Sequence, residues 1–330
     1  MNRTVYLFTI LLFSLISCQQ ASQFNFGSPT ETGASKTPDN LKIAYNVLEN
    51  VQTNDYEIYV MNADGSNKTN ISNQPGVDWV YYSYGTKLYF VSDRDTTSGI
   101  FFLYEMEYDG SEIRKITDFR IQDSWFSSRN SGQEFVIKPH DTVDSTRFYI
   151  IDMDGEVLEQ IEPGLPYIYD PHFSPTGDQI VFRGSRSPYL EDSGYIDELY
   201  IINTDGSGLR QLTQYPENDS SARWWSYHAG PPRWKQEQNR ITYNSIQKGT
   251  SSLFEISPDG SDQTQITSDS TYDGWHSWSE DGEWLVFSRS VVNGGSFNYD
   301  IYLRKQNSDE VLRVTTSPKI EQAPVFVRSE

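Results

Sequence analysis

Residues 198–213 read Glu198-Leu-Tyr-Ile-Ile-Asn-Thr-Asp205-Gly206-Ser-Gly-Leu-Arg-Gln-Leu-Thr213. An alternating apolar run meets an Asp-Gly pair, and a second short run follows at once. This is the pattern of a β-hairpin, and Asp-Gly predicts a type I′ turn because both central residues of that turn need positive φ. The unit recurs. Asp-Gly stands at 64–65, 109–110, 154–155, 205–206 and 259–260, at intervals of 45, 45, 51 and 54 residues, with a degenerate sixth copy at Asn307-Ser308-Asp309-Glu310. Each turn is preceded by a run such as Glu57-Ile-Tyr-Val-Met61 or Asp300-Ile-Tyr-Leu-Arg304 and followed by a strand ending in Ile-Ser, Ile-Thr, Leu-Thr or Val-Thr.

A second hairpin lies upstream of each. Pro171-His-Phe-Ser-Pro-Thr-Gly177 leads into Gln179-Ile-Val-Phe-Arg183, and His276-Ser-Trp-Ser-Glu-Asp-Gly282 into Trp284-Leu-Val-Phe287. Two hairpins per unit make four antiparallel strands, and a four-stranded unit repeating every 45 residues or so is the periodicity of a β-propeller blade. The ends fix the count. Leu41-Lys-Ile-Ala-Tyr45 begins on the second strand of a unit, while Ala323-Pro-Val-Phe-Val-Arg328 is a first strand without its unit. The expectation is an all-β, six-bladed propeller over residues 39–330, closed by the C-terminal strand completing the N-terminal blade and so leaving no open sheet edge.

Ile58-Tyr-Val-Met-Asn-Ala-Asp-Gly-Ser66, Phe173-Ser-Pro-Thr-Gly177 and Trp278-Ser-Glu-Asp-Gly282 resemble the WD-like repeats of the TolB-type six-bladed propellers, over about residues 40–328. TolB carries an α/β domain ahead of its propeller and no lipid. This chain has only a short polar spacer there, so the resemblance is to TolB-like lipoproteins and implies a binding role in the cell envelope.

The leader supports that address. A positive n-region precedes the apolar run Val5–Ile16, which is too short for a membrane span of ~20 residues. Leu15-Ile-Ser-Cys18 resembles a lipobox, so residues 1–17 are expected to be a lipoprotein signal peptide, Cys18 the lipidated N-terminus and residues 18–38 a flexible tether. Cys18 is the one cysteine, which excludes an internal disulfide or a multi-cysteine zinc site. With 46 acidic against 26 basic residues and a net charge of −20, the chain would be repelled by nucleic acid and by anionic lipid. Its membrane contact is expected through the lipid alone, in the outer membrane, and the protein is expected to be a monomer.

Propeller function gathers where the interblade loops and the second-to-third-strand loops surround the channel. Two such segments are long: Tyr215 to Pro232 and Gly184 to Asp197. Arg223, Trp224, Trp225, Tyr227, His228 and Arg233, with Tyr189 and Tyr195, are too aromatic for an idle loop and form the candidate ligand-binding face; a channel plug is the alternative. Asp78, Asp123, Asp170 and Asp273 each stand where a first strand begins, as a carboxylate ring for a divalent cation or a basic segment, or as turn-stabilising hydrogen-bond acceptors. His172, His228 and His276 fall in successive blades, an arrangement similar to that of the oligogalacturonate lyases, which hold a divalent cation on that face. No closely spaced histidine pair accompanies them, and the sequence contains no Gly-x-Ser-x-Gly elbow, Walker loop or His-Glu-x-x-His. Nor is a hydrolase domain expected after the sixth blade. No catalytic residue and no cofactor other than that possible cation is expected. The expected function is a membrane-anchored scaffold binding an envelope protein or a glycan; the alternative is a metal-dependent lyase of acidic polysaccharides.

Overall fold

Alternating apolar residues flanked by turns give short strands, and every strand but the last finds its partner in a strand that the sequence places beside it. A computed structural model of the chain describes residues 37–38, 40–140, 146–186, 197–214, 226–247, 250–268, 271–293 and 296–330, with no helix among them. Six four-stranded antiparallel sheets form, each in simple meander order. The innermost strands of blades 1 to 6 are Glu321–Arg328, Asp78–Tyr84, Ser127–Arg129, Tyr167–Phe173, Arg233–Lys235 and Tyr272–Trp278. Glu321–Arg328 pairs with Leu41–Asn50, matching Leu41 to Arg328 and Ile43 to Phe326. The last strand therefore closes the ring, as the two incomplete ends of the repeat array require.

The apolar faces pack between blades. Ala44, Ile58 and Val325 of blade 1 meet Val80, Leu88 and Phe90 of blade 2, all buried, and equivalent layers lie at the other blade junctions. Outer strands are mostly two or three residues long, such as Thr69–Asn70 and Arg210–Gln211. Here the recurring Ser/Thr has its use. The hydroxyl of Thr213 accepts the Leu199 N–H at 2.9 Å, and Thr117, Thr267, Thr315 and Ser72 do the same for Leu103, Leu253, Ile301 and Ile58, so a side chain continues the ladder where the strand stops.

The Asp-Gly turns differ from the expected type I′. Only the glycine has positive φ, 81–86° in the five copies, while the aspartate does not. Gly206 N–H donates to Asn203 O and Asn203 N–H to Ser207 O, each at 2.9 Å, which is a type I turn followed by a left-handed residue and a bulge. The motif is three residues deep because the aspartate needs its own acceptor role. Asp205 Oδ1 takes both the N–H and the hydroxyl of Ser207, a pair of bonds repeated at Asp64, Asp109 and Asp259. Those bonds from serine hold the four carboxyls below the usual carboxylate range.

Candidate functional site

All six innermost strands run the same way along the channel, so it has an end built from their first residues and an end built from their last. At the first-residue end, blades 2, 3 and 6 each contribute a tryptophan. Trp125 and Trp275 come from opposite sides of the ring, yet their rings lie 5.3 Å apart. Trp79 meets Trp275 edge-on at 5.7 Å, Tyr56 meets Trp79 edge-on at 4.8 Å, and Tyr81 lies 4.4 Å from Trp125. These rings bridge the bore and stopper it. Asp78-Trp79, Asp123-Ser-Trp125 and Asp273-Gly-Trp275 carried the signal, a tryptophan one or two residues after the recurring aspartate, which the sequence reading passed over.

The four aspartates sit at this end, in two kinds of environment. Asp78, Asp170 and Asp273 are buried and each meets an arginine on or just after the second strand of its own blade: Arg94 at 2.8 Å, Arg183 at 2.8 Å and Arg289 at 2.6 Å. Asp170, held at φ 57° in an inner-strand bulge, also accepts the Ser124 hydroxyl at 3.1 Å and the Trp125 N–H at 3.0 Å, tying blade 4 to blade 3. Asp123 is half-buried and accepts the Tyr81 hydroxyl. Burial pushes its carboxyl up to about 6, against the Tyr81 hydrogen bond and with a further push from Asp170.

Deeper in the channel lies Arg233, 8% exposed, its guanidinium 5.2 Å over the Trp125 ring and Nη1 3.2 Å from the Pro232 carbonyl. Burial lowers its pKa to about 9, opposed by Asp170 and Tyr81, so it stays cationic at neutral pH. Histidines flank it on both sides. His172 Nδ1 lies 3.0 Å from the Phe173 carbonyl and His276 Nε2 2.8 Å from the Thr242 hydroxyl. Burial, reinforced by Arg233, drives His172 down to about 3 and His276 well below its usual value, so both are neutral. Among the described residues no three His, Cys, Asp or Glu side chains come together as a metal donor set. His228 is half-buried in a segment fixed by backbone bonds: Tyr227 N–H to Ile246 O and Gly230 N–H to Asn244 O at 2.7 Å, Ala229 N–H to Asp197 O at 2.8 Å. Cys18, Tyr189, Tyr195, Arg223, Trp224 and Trp225 lie outside the described residues.

At the last-residue end the channel is open. A cavity of about 400 Å³ runs inward from the first-to-second-strand turns to Tyr81, His172 and Arg233. The sequence reading favoured the opposite face; the recess is created by six inner-strand ends that no local motif connects.

Laid against known structures, this architecture has clear counterparts. The chain superimposes on TolB from Acinetobacter baumannii with a TM-score of 0.64 over 86% of its length, at 14% identity, spanning 66% of that protein. The fold is the TolB-type propeller. A putative TolB from Agrobacterium tumefaciens aligns at 0.59 and 15% identity, with 86% of this chain and 91% of that one covered. No family profile matches the chain. Among curated relatives, dipeptidyl-peptidase 5 of Porphyromonas endodontalis is 32% identical over 118 residues, which is 36% of this chain but only 16% of the peptidase.

Proposed function

We propose that the chain is a binding module of the bacterial cell envelope, anchored in the outer membrane by lipid on Cys18 after loss of residues 1–17, tethered by residues 18–38, and presenting its interblade-loop face to an envelope protein. One observation carries the reading. Trp79, Trp125 and Trp275 stopper the channel beneath that face, so the face is closed, which suits docking of a macromolecule better than passage of a substrate. Segments 184–197 and 215–232 contain Tyr189, Tyr195, Trp224, Trp225 and Tyr227, residue types that anchor interfaces. The lyase reading asks for histidines converging on a cation, whereas His172 and His276 flank the cationic Arg233.

The test is cross-linking and affinity capture of the full lipidated chain from native envelopes, beside Trp224→Ala, Trp225→Ala and Tyr227→Ala. The expected result is one protein captured by the parent and lost from a variant whose melting is unchanged. Capture of a polysaccharide instead would reassign the partner to a glycan. If no variant loses a partner without also losing stability, the docking face lies elsewhere.

A further inference from the structure

The channel's open end carries a charge opposite to that of the chain. Net charge is −20, yet the charged residues lining the cavity are Arg129, Arg233, Lys235, Arg328 and a single acid, Glu280. Three of the four cations are already matched. Arg129 pairs with Glu134 at 2.7 Å and Glu159 at 3.1 Å, Lys235 lies 3.6 Å from Glu255 and 3.9 Å over the Trp278 ring, and Arg328 pairs with Glu280. Arg233 is the exception. Its polar contact is the neighbouring Pro232 carbonyl, and among the described residues no carboxylate lies within ion-pair distance of it. Asp170, the acid that bears on it most, is engaged by Arg183, Ser124 and Trp125.

A buried guanidinium facing a cavity without a counter-ion is a costly arrangement that a bound anion relieves. We propose that the cavity is a binding site for a small organic acid, whose carboxylate pairs with Arg233. The planar fork of arginine suits a carboxylate, and one unmatched positive charge matches a monoanion better than a phosphate dianion. Tyr81, Tyr82 and Trp278 give the walls an aromatic character, so an aromatic acid fits better than a purely polar one. His172, neutral and lining the same space, adds a hydrogen-bonding group without adding charge. This site lies at the other end of the channel from the docking face and stands independently of it.

The experiment is titration of the full chain with benzoate, acetate and inorganic phosphate, read by calorimetry and by ¹⁵N NMR of arginine side-chain N–H groups. Benzoate is expected to bind saturably, about tenfold tighter than phosphate, and to shift one arginine signal; Arg233→Gln should weaken benzoate about tenfold or more, and Arg129→Gln at the rim by less than about threefold. Equal benzoate affinity in the parent and Arg233→Gln overturns the proposal, as does the absence of saturable binding. Should Arg233→Gln not fold, the NMR arm on the parent decides: an arginine signal unmoved at saturating benzoate overturns the proposal, and phosphate binding more tightly than benzoate overturns the carboxylate assignment.

Discussion

Trp125 of blade 3 and Trp275 of blade 6 approach to 5.3 Å although 150 residues and half the ring separate them. Blades on opposite sides of a propeller do not otherwise touch, so this pair couples parts of the sheet array that neighbour packing alone leaves independent. Trp125 is 5% exposed and also meets Tyr81 and Arg233. Trp125→Ala should cost about 3–5 kcal/mol, and Trp275→Ala, at a half-buried position, about 1–2 kcal/mol. Urea denaturation of the two variants checks the order.

Acid should destabilise the fold through its channel histidines. His172 has a folded pKa of about 3 against 6.5 unfolded, so between these values the unfolded chain binds more protons. The stability it contributes is present above pH 6.5 and is lost as pH falls towards 3, on the order of 5 kcal/mol in all. Asp123 opposes this over part of the range. Its folded pKa of about 6 exceeds the unfolded value of 3.8, so its contribution weakens as pH rises from 4 to 6. His172→Gln should flatten the fall in melting temperature between pH 6.5 and 4, and Asp123→Asn should steepen it, as scanning calorimetry across that range would show.

Removal of residues 319–330 should open the ring. Leu41–Asn50 would lose its partner strand, exposing the backbone from Leu41 to Val47 and the apolar faces of Ala44 and Ile43. The shortened chain is expected to aggregate or to lose a single cooperative transition; size-exclusion chromatography and a denaturant titration read both outcomes.

Cys18→Ser should abolish lipid attachment and stall the precursor or release the protein from the membrane fraction. Fractionation with a gel-mobility assay distinguishes this from an ordinary secreted leader, for which the substitution would change nothing.

The propeller was legible because its repeat is local: each Asp-Gly turn and the runs beside it specify one hairpin, and the ends of the array specify closure. The turn type was misjudged because Asp205 spends its side chain on Ser207, which stabilises a right-handed first half that dipeptide identity alone does not reveal. The aspartates stood out by recurrence, but their arginines lie 13–16 residues downstream and come opposite them only when the hairpin register is set. Arg233 stands both at the end of the aromatic loop and at the start of a first strand; that its side chain turns into the bore depends on the whole ring and has no local signal. The tryptophan stopper and the basic recess depend on contacts across the ring, and nothing in a sequence read repeat by repeat joins residues 79, 125 and 275.

Ring closure also decides how the protein carries load. Strand Leu41–Asn50, the first among the described residues, is held on both sides, by Asp55–Asn62 and by Glu321–Arg328. Tension applied at Leu41 along that strand would strain the flanking hydrogen bonds together in shear instead of peeling them one at a time. If the proposed lipid anchor holds the chain by this end, tension falls on the seam, the place where a ring joined only by packing would part first.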